Sequence, residues 1–140
     1  MFESFLRERL APLTLRLALG LVCIFHGFVK IMANGGLTWH LTMPTTYQLA
    51  VAWGEFGSGL AILLGFRCRW AAATALSVLG FTQVWQHGWN VFAQPVRTLE
   101  PTLVLLLVGL ALLFLGAGEL SLDGRGSGTA SRGLRKKQAA

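Results

Sequence analysis

The sequence predicts an all-α fold: a membrane-spanning four-helix bundle with both termini in the cytoplasm. Three observations carry that expectation. The chain of 140 residues is 54% hydrophobic and only 13% charged, about half the charged share of a soluble domain. Its apolar residues gather in four runs, each near the roughly 20 residues a helix needs to cross hydrocarbon. Basic residues gather on the flanks that such a bundle would place on one side.

The elements follow in order. The first helix is expected over Pro12–Ala33, stopped by Asn34-Gly35-Gly36. The second is expected over Tyr47–Phe66, preceded by Pro44, and the third over Trp70–Trp89, after the short turn from Gly65 to Arg69. The fourth is expected over Thr98–Gly118, after a break from Asn90 to Pro95. Pro101 then falls in a first turn, where a missing N–H does no harm. The runs do not alternate and are twice the length of a barrel strand, which argues against a β-barrel. Glu3 and Glu8 dilute the N-terminal positive charge, and no small-x-small site precedes Asn34, so the first run is expected as an uncleaved helix rather than a signal peptide. Residues 1–123 form one four-span domain. Residues 124–140 turn to Gly, Ser, Arg and Lys and are expected as a disordered basic cytoplasmic tail.

Charge sets the orientation. Arg7, Arg9 and Arg16 flank the first helix, Arg67 and Arg69 lie between the second and third, and Arg125, Arg132, Arg135, Lys136 and Lys137 lie in the tail. The opposite side has Lys30 and Arg97. Cytoplasmic flanks concentrate Lys and Arg, so the first set is inside. The net charge of +6 therefore reads as a topology signal and a contact for lipid headgroups, not for nucleic acid. Trp39, Trp85, Trp89 and Phe92 form an expected aromatic belt at the outer interface. Cys23 and Cys68 fall at different depths and do not suit a disulfide.

The chemistry lies in ionisable groups inside these runs: His26 and Lys30, Glu55, His87 and Glu100. A charge at mid-bilayer costs about 2.5–3.5 kcal/mol on insertion scales, so such groups are expected to meet. At 100° per residue, Arg16, Gly20, Cys23, His26, Gly27 and Lys30 share one arc of the first helix. Gln48, Ala52, Glu55, Ser58 and Gly59 share one arc of the second. Gly80, Gln83, Gln86, His87 and Asn90 share one of the third. All three arcs are expected to face the interior, with the fourth helix as an aliphatic wall. The candidate site is thus His26, Lys30, Glu55, Gln83, His87 and Glu100, in the outer half. Each has a plainer reading: Lys30 snorkelling, Glu100 as a helix-dipole partner, His87 as an interfacial ring. Glu55 is too deep and too short for that. No nucleotide, hydrolase or zinc-protease motif occurs. The His and Glu spacing gives no metal site, so there is no autonomous catalytic motif and no intrinsic cofactor is expected.

The run His26-Gly27-Phe28-Val29-Lys30 resembles the HG…K motif of DoxX-like membrane proteins. Gly54-Glu55-Phe56-Gly57-Ser58-Gly59-Leu60-Ala61, with Leu64-Gly65 and Arg69, resembles that family's second-helix signature and basic turn. Glu100 is similar to its fourth-helix acid, and Gly116-Ala117-Gly118-Glu119-Leu120-Ser121-Leu122-Asp123 to its closing GxG…SLD motif. The resemblance runs from about Leu13 to Asp123. It implies a multi-pass, four-helix protein of the inner membrane. Some members are associated with quinone-linked thiosulfate oxidation or terminal oxidases, others with redox-stress enzymes, and distant relatives with chaperone or cargo roles. The resemblance thus implies a membrane subunit or partner of a quinone-linked oxidoreductase, with quinone as a cofactor and a membrane-associated redox protein or a second copy as partner. A non-enzymatic anchor or assembly factor is the alternative. A transporter for protons or a small solute ranks last, since no helix is clearly broken.

Overall fold

The computed structural model describes residues 6–33, 38–88 and 96–124, save for the side chains of Arg7, His87 and residues 96–100. The described chain is all-helical. A π-helical turn, Leu6–Leu10, leads into helix α1, Ala11–Met32. Helix α2 spans Thr45–Leu64, α3 Cys68–His87 and α4 Val96–Leu115.

Every helix starts and stops slightly before its expected bounds, for local reasons. Pro44, with ψ near 141°, sets the chain extended just ahead of Thr45. Gly65 closes α2 in the left-handed region at φ 67°. Its N–H reaches Ile62 O, and that of Phe66 reaches Ala61 O, a Schellman-type stop. Gly116, also left-handed, ends α4. Because α4 begins at Val96, Pro101 stands beyond the first turn and inside the helix. The expected harmless position is corrected: Pro101 removes one rung of the helical hydrogen bonds.

The closest seam joins α1 to α2. A Cβ on Gly27 would fall 2.5 Å from Phe56 N, and one on Gly59 would fall 2.7 Å from Ile24 N. Small residues let two backbones touch where hydrophobic pressure between helices is weak. Leu19, Cys23, Ile62, Ala72, Ala75 and Leu112 fill the core. The arcs expected on α1 and α2 face inward, except that His26 is exposed. The stripe expected on α3 is corrected. Its inward face is Cys68, Ala72, Ala75, Leu79 and Thr82, while Gly80 and Gln83 sit at the border and Gln86 is exposed. Alanines permit the closer approach, so they take the interface. Both cysteines are free and buried.

At the end holding Arg9, Arg67 and Arg69, the basic end, the chain is knotted by long-range polar contacts. Arg16 is buried, and its guanidinium donates to Ile62 O and Leu63 O at the end of α2 and to Ala117 O and Leu120 O beyond α4. The Asp123 carboxylate accepts the N–H groups of Arg67 and Cys68, both at 2.9 Å. It therefore caps α3 from a distant part of the chain. Gly65 lies between these groups, and a Cβ there would meet Ser121 at 2.4 Å and Arg16 at 2.8 Å.

Among the described residues, one stretch, Glu8–Met32, is long and apolar enough to cross a membrane by length and composition, with a mean hydropathy of 1.8. Pro101–Leu115 is apolar but shorter. Large apolar side chains are nevertheless exposed around the bundle, including Phe25 at 66%, Leu107 at 66%, Phe114 at 71% and Trp70 at 73%. Soluble monomers seldom present apolar surface on that scale.

Candidate functional site: a polar cavity away from the basic end

Lys30 lies in the last turn of α1, and Glu55 lies on the buried face of α2. The α1–α2 seam brings them together. Lys30 Nζ donates to Glu55 Oε1 at 2.6 Å and to Oε2 at 2.7 Å. The Glu55 side chain is 1% exposed and that of Lys30 16%. Both carboxylate oxygens share one ammonium, the strong form of a charge-assisted contact. Such a pair is tolerated in a dry interior because each charge satisfies the other.

What covers Lys30 is not legible from periodicity. The Trp39 ring lies over Nζ, 4.7 Å from ring centroid to nitrogen, a cation–π distance. Trp39 is thus half-buried over the ion pair. Trp85 packs with Tyr47 and Phe81, while Trp89 and Phe92 lie outside the described residues. Gln48, buried one helical face with Glu55, fixes the segment that carries Trp39. Its Nε2 donates to His40 O and Met43 O, and its Oε1 accepts from His40 N. Trp39 Nε1 in turn donates to Gln48 O at 3.1 Å. Gln48 lay on the expected polar arc, but the role of Trp39 needs the loop geometry that periodicity does not contain.

Beside the pair, between α1, α3 and α4, is a cavity of about 320 Å³, within the usual range for small-molecule sites. Glu55, Leu79 and Thr82 are its buried parts, and Phe25, His26 and Val29 are exposed at its α1 side. Gln83, Gln86 and Thr102 add polar groups, and Leu105 adds an aliphatic one. Gln83 Nε2 donates to Thr102 Oγ1, joining α3 to α4. Gln83 Oε1 is buried with no partner, and a buried acceptor left open favours a ligand that can donate to it.

Of the six expected site residues, His26, Lys30, Glu55 and Gln83 line this one cavity. The side chains of His87 and Glu100 lie outside the described residues. Thr82, Gln86 and Thr102 were missed as site residues. Thr82 and Thr102 are uncharged and small, so composition does not mark them, while Gln86 lay on the expected polar arc of α3 but carries no charge to single it out. Among the described residues, no group of three or more His, Cys, Asp or Glu side chains is placed to hold a metal.

Comparison with known proteins places this arrangement. The family model DoxX matches residues 11–88, more than half the chain. That stretch includes α1, α2 and α3, hence Lys30, Glu55 and Gln83. Glu100 and the Gly116–Asp123 run lie beyond it. No curated protein and no solved structure gives a significant match. With the family match over the helices that build the cavity, the chain belongs to the DoxX family of membrane proteins.

Proposed function

We propose that this protein is a multi-pass inner-membrane subunit or partner of a quinone-linked oxidoreductase. All four helices cross the bilayer with both termini in the cytoplasm, and the polar cavity holds the quinone head group in the outer half. The observation that carries the reading is the Lys30–Glu55 pair in the wall of a cavity otherwise lined by apolar side chains, His26 and the uncharged Thr82, Gln83, Gln86 and Thr102. An amphiphile with a polar ring and an apolar tail suits such a lining.

The residues present fit the group. Lys30 holds an ammonium against one side of the cavity, and the buried Gln83 oxygen offers an acceptor to a hydroxyl on another. His26 is placed to donate to a ring carbonyl. Glu55, held against Lys30, is the group that exchanges a proton with the bound ring. A quinone supplies two-electron chemistry coupled to two protons. The sequence carries no recognised redox-centre motif, so electrons come from a partner protein.

Purification in mild detergent, with mass spectrometry of co-purifying lipids, tests this. Wild type is expected to retain quinone, and Glu55→Gln, folded though with a lowered thermal midpoint, to lose most of it. Equal quinone in both, or none in wild type, would overturn the reading and favour a non-enzymatic anchor.

A further inference from the structure

We propose a second binding site at the basic end: a cleft between α2 and α3 that holds an anionic phospholipid, with Arg67 on its phosphate. The inference rests on reading α2 and α3 as membrane spans and not on the quinone site.

The cleft measures about 240 Å³. Gly57, Ala61 and Thr74 are among its lining, and Phe66, Arg67 and Trp70 stand at its end nearest the turn. A Cβ at Gly57 would meet nothing within 4 Å, so the floor is open along the helices. Phe66 and Trp70 are exposed beside it, at 54% and 73%. Aromatic rings at this depth are the usual companions of the headgroup region.

Charge bookkeeping identifies the headgroup. Among arginines with described side chains, Arg9 pairs with Glu119. Arg16 is engaged by backbone carbonyls, and Arg69 donates to Phe114 O. Among the described residues, the Arg67 guanidinium makes no hydrogen bond or ion pair. The Asp123 carboxylate accepts the backbone N–H groups of Arg67 and Cys68 and makes no hydrogen bond to the Arg67 guanidinium. Arg67 is also the described non-glycine residue with positive φ, at 43°. Such a conformation persists only where its surroundings hold it, and here the Asp123 cap does so. The result is an exposed cation, on a backbone held by the Asp123 cap, at the mouth of a mostly apolar furrow, complementary to a phosphate above an acyl chain. Anionic lipids are enriched on the cytoplasmic leaflet, where the proposed orientation puts this end.

The test uses the full chain in nanodiscs of phosphatidylcholine doped with phosphatidylglycerol, released and read by native mass spectrometry. Wild type is expected to retain phosphatidylglycerol preferentially. Arg67→Gln should reduce that preference about tenfold or more, the factor for a lost hydrogen bond to a charged group, while Arg69→Gln, which removes the same surface charge, should lower it no more than about fivefold. Gly57→Leu should lower retention with Arg67 intact. Equal loss in Arg67→Gln and Arg69→Gln would mean general surface charge and overturn the site. So would full retention in Arg67→Gln or Gly57→Leu, or displacement of the lipid by millimolar inorganic phosphate. Thermal midpoints within a few degrees of wild type establish that each variant is folded.

Discussion

Lys30 shows how one side chain can be fixed from two directions. Glu55 holds it from α2, and the Trp39 ring covers it. Removing one member of a buried pair strands the other charge, so Glu55→Leu should cost about 3–5 kcal/mol, measured as a fall in denaturant midpoint in detergent. Lys30→Met/Glu55→Leu should recover most of that loss, since an apolar pair of similar volume is often as stable. The same double variant should bind no quinone, which separates the pair's chemistry from its packing. Trp39→Leu should lower stability by about 0.5–2 kcal/mol, the range of a cation–π contact, and should do so only while Lys30 is present, as a double-mutant cycle would read. Lys30 and Glu55 were legible because charges stand out in apolar runs and a 100° step placed them on inward arcs. His26 shared the arc but sits at its exposed edge, a difference of a few tens of degrees that periodicity does not resolve. The contact of Trp39 with Lys30 was not legible, because an aromatic ring looks the same in sequence whether or not a cation lies beneath it.

The helices themselves were largely visible as runs, and their ends less so. A Gly in the left-handed region stops α2 at Gly65 and α4 at Gly116, and those signals are local. The start of α3 is not local, because its cap is Asp123. Asp123→Ala should therefore destabilise the bundle by about 0.5–2 kcal/mol, the usual cost of a lost N-cap, and hydrogen exchange should rise first at Arg67 and Cys68. The seam between α1 and α2 makes a sharper prediction. Phe56 backbone lies against Gly27, and backbone cannot move aside as a side chain does, so Gly27→Val should cost at least the 1–3 kcal/mol of ordinary overpacking. Gly80→Val, where a Cβ meets nothing within 4 Å, is the matched control. The α3 stripe was misread because polar residues and small residues occupy different arcs of that helix. Close packing chose the alanines.

For the whole molecule, the proposed topology predicts labelling. In a background with Cys23 and Cys68 replaced, Glu8→Cys should react with a membrane-impermeant thiol reagent only from the cytoplasmic side, and Leu41→Cys only from the other. The opposite pattern would reverse the orientation. The all-helical character was legible because composition and run length act over the whole chain, whereas the knot at the basic end depends on partners far apart in sequence. That separation has a bearing on biogenesis. Arg16 is among the first residues of α1 to be made, yet two of its acceptors, Ala117 O and Leu120 O, and the cap on α3 come from the last described segment. Until that segment leaves the ribosome, the nascent bundle holds a guanidinium with half its carbonyls missing and a helix start with open N–H groups. Each helix can form as it emerges, but the lock that fixes them closes only once the segment from Ala117 to Asp123 has been made.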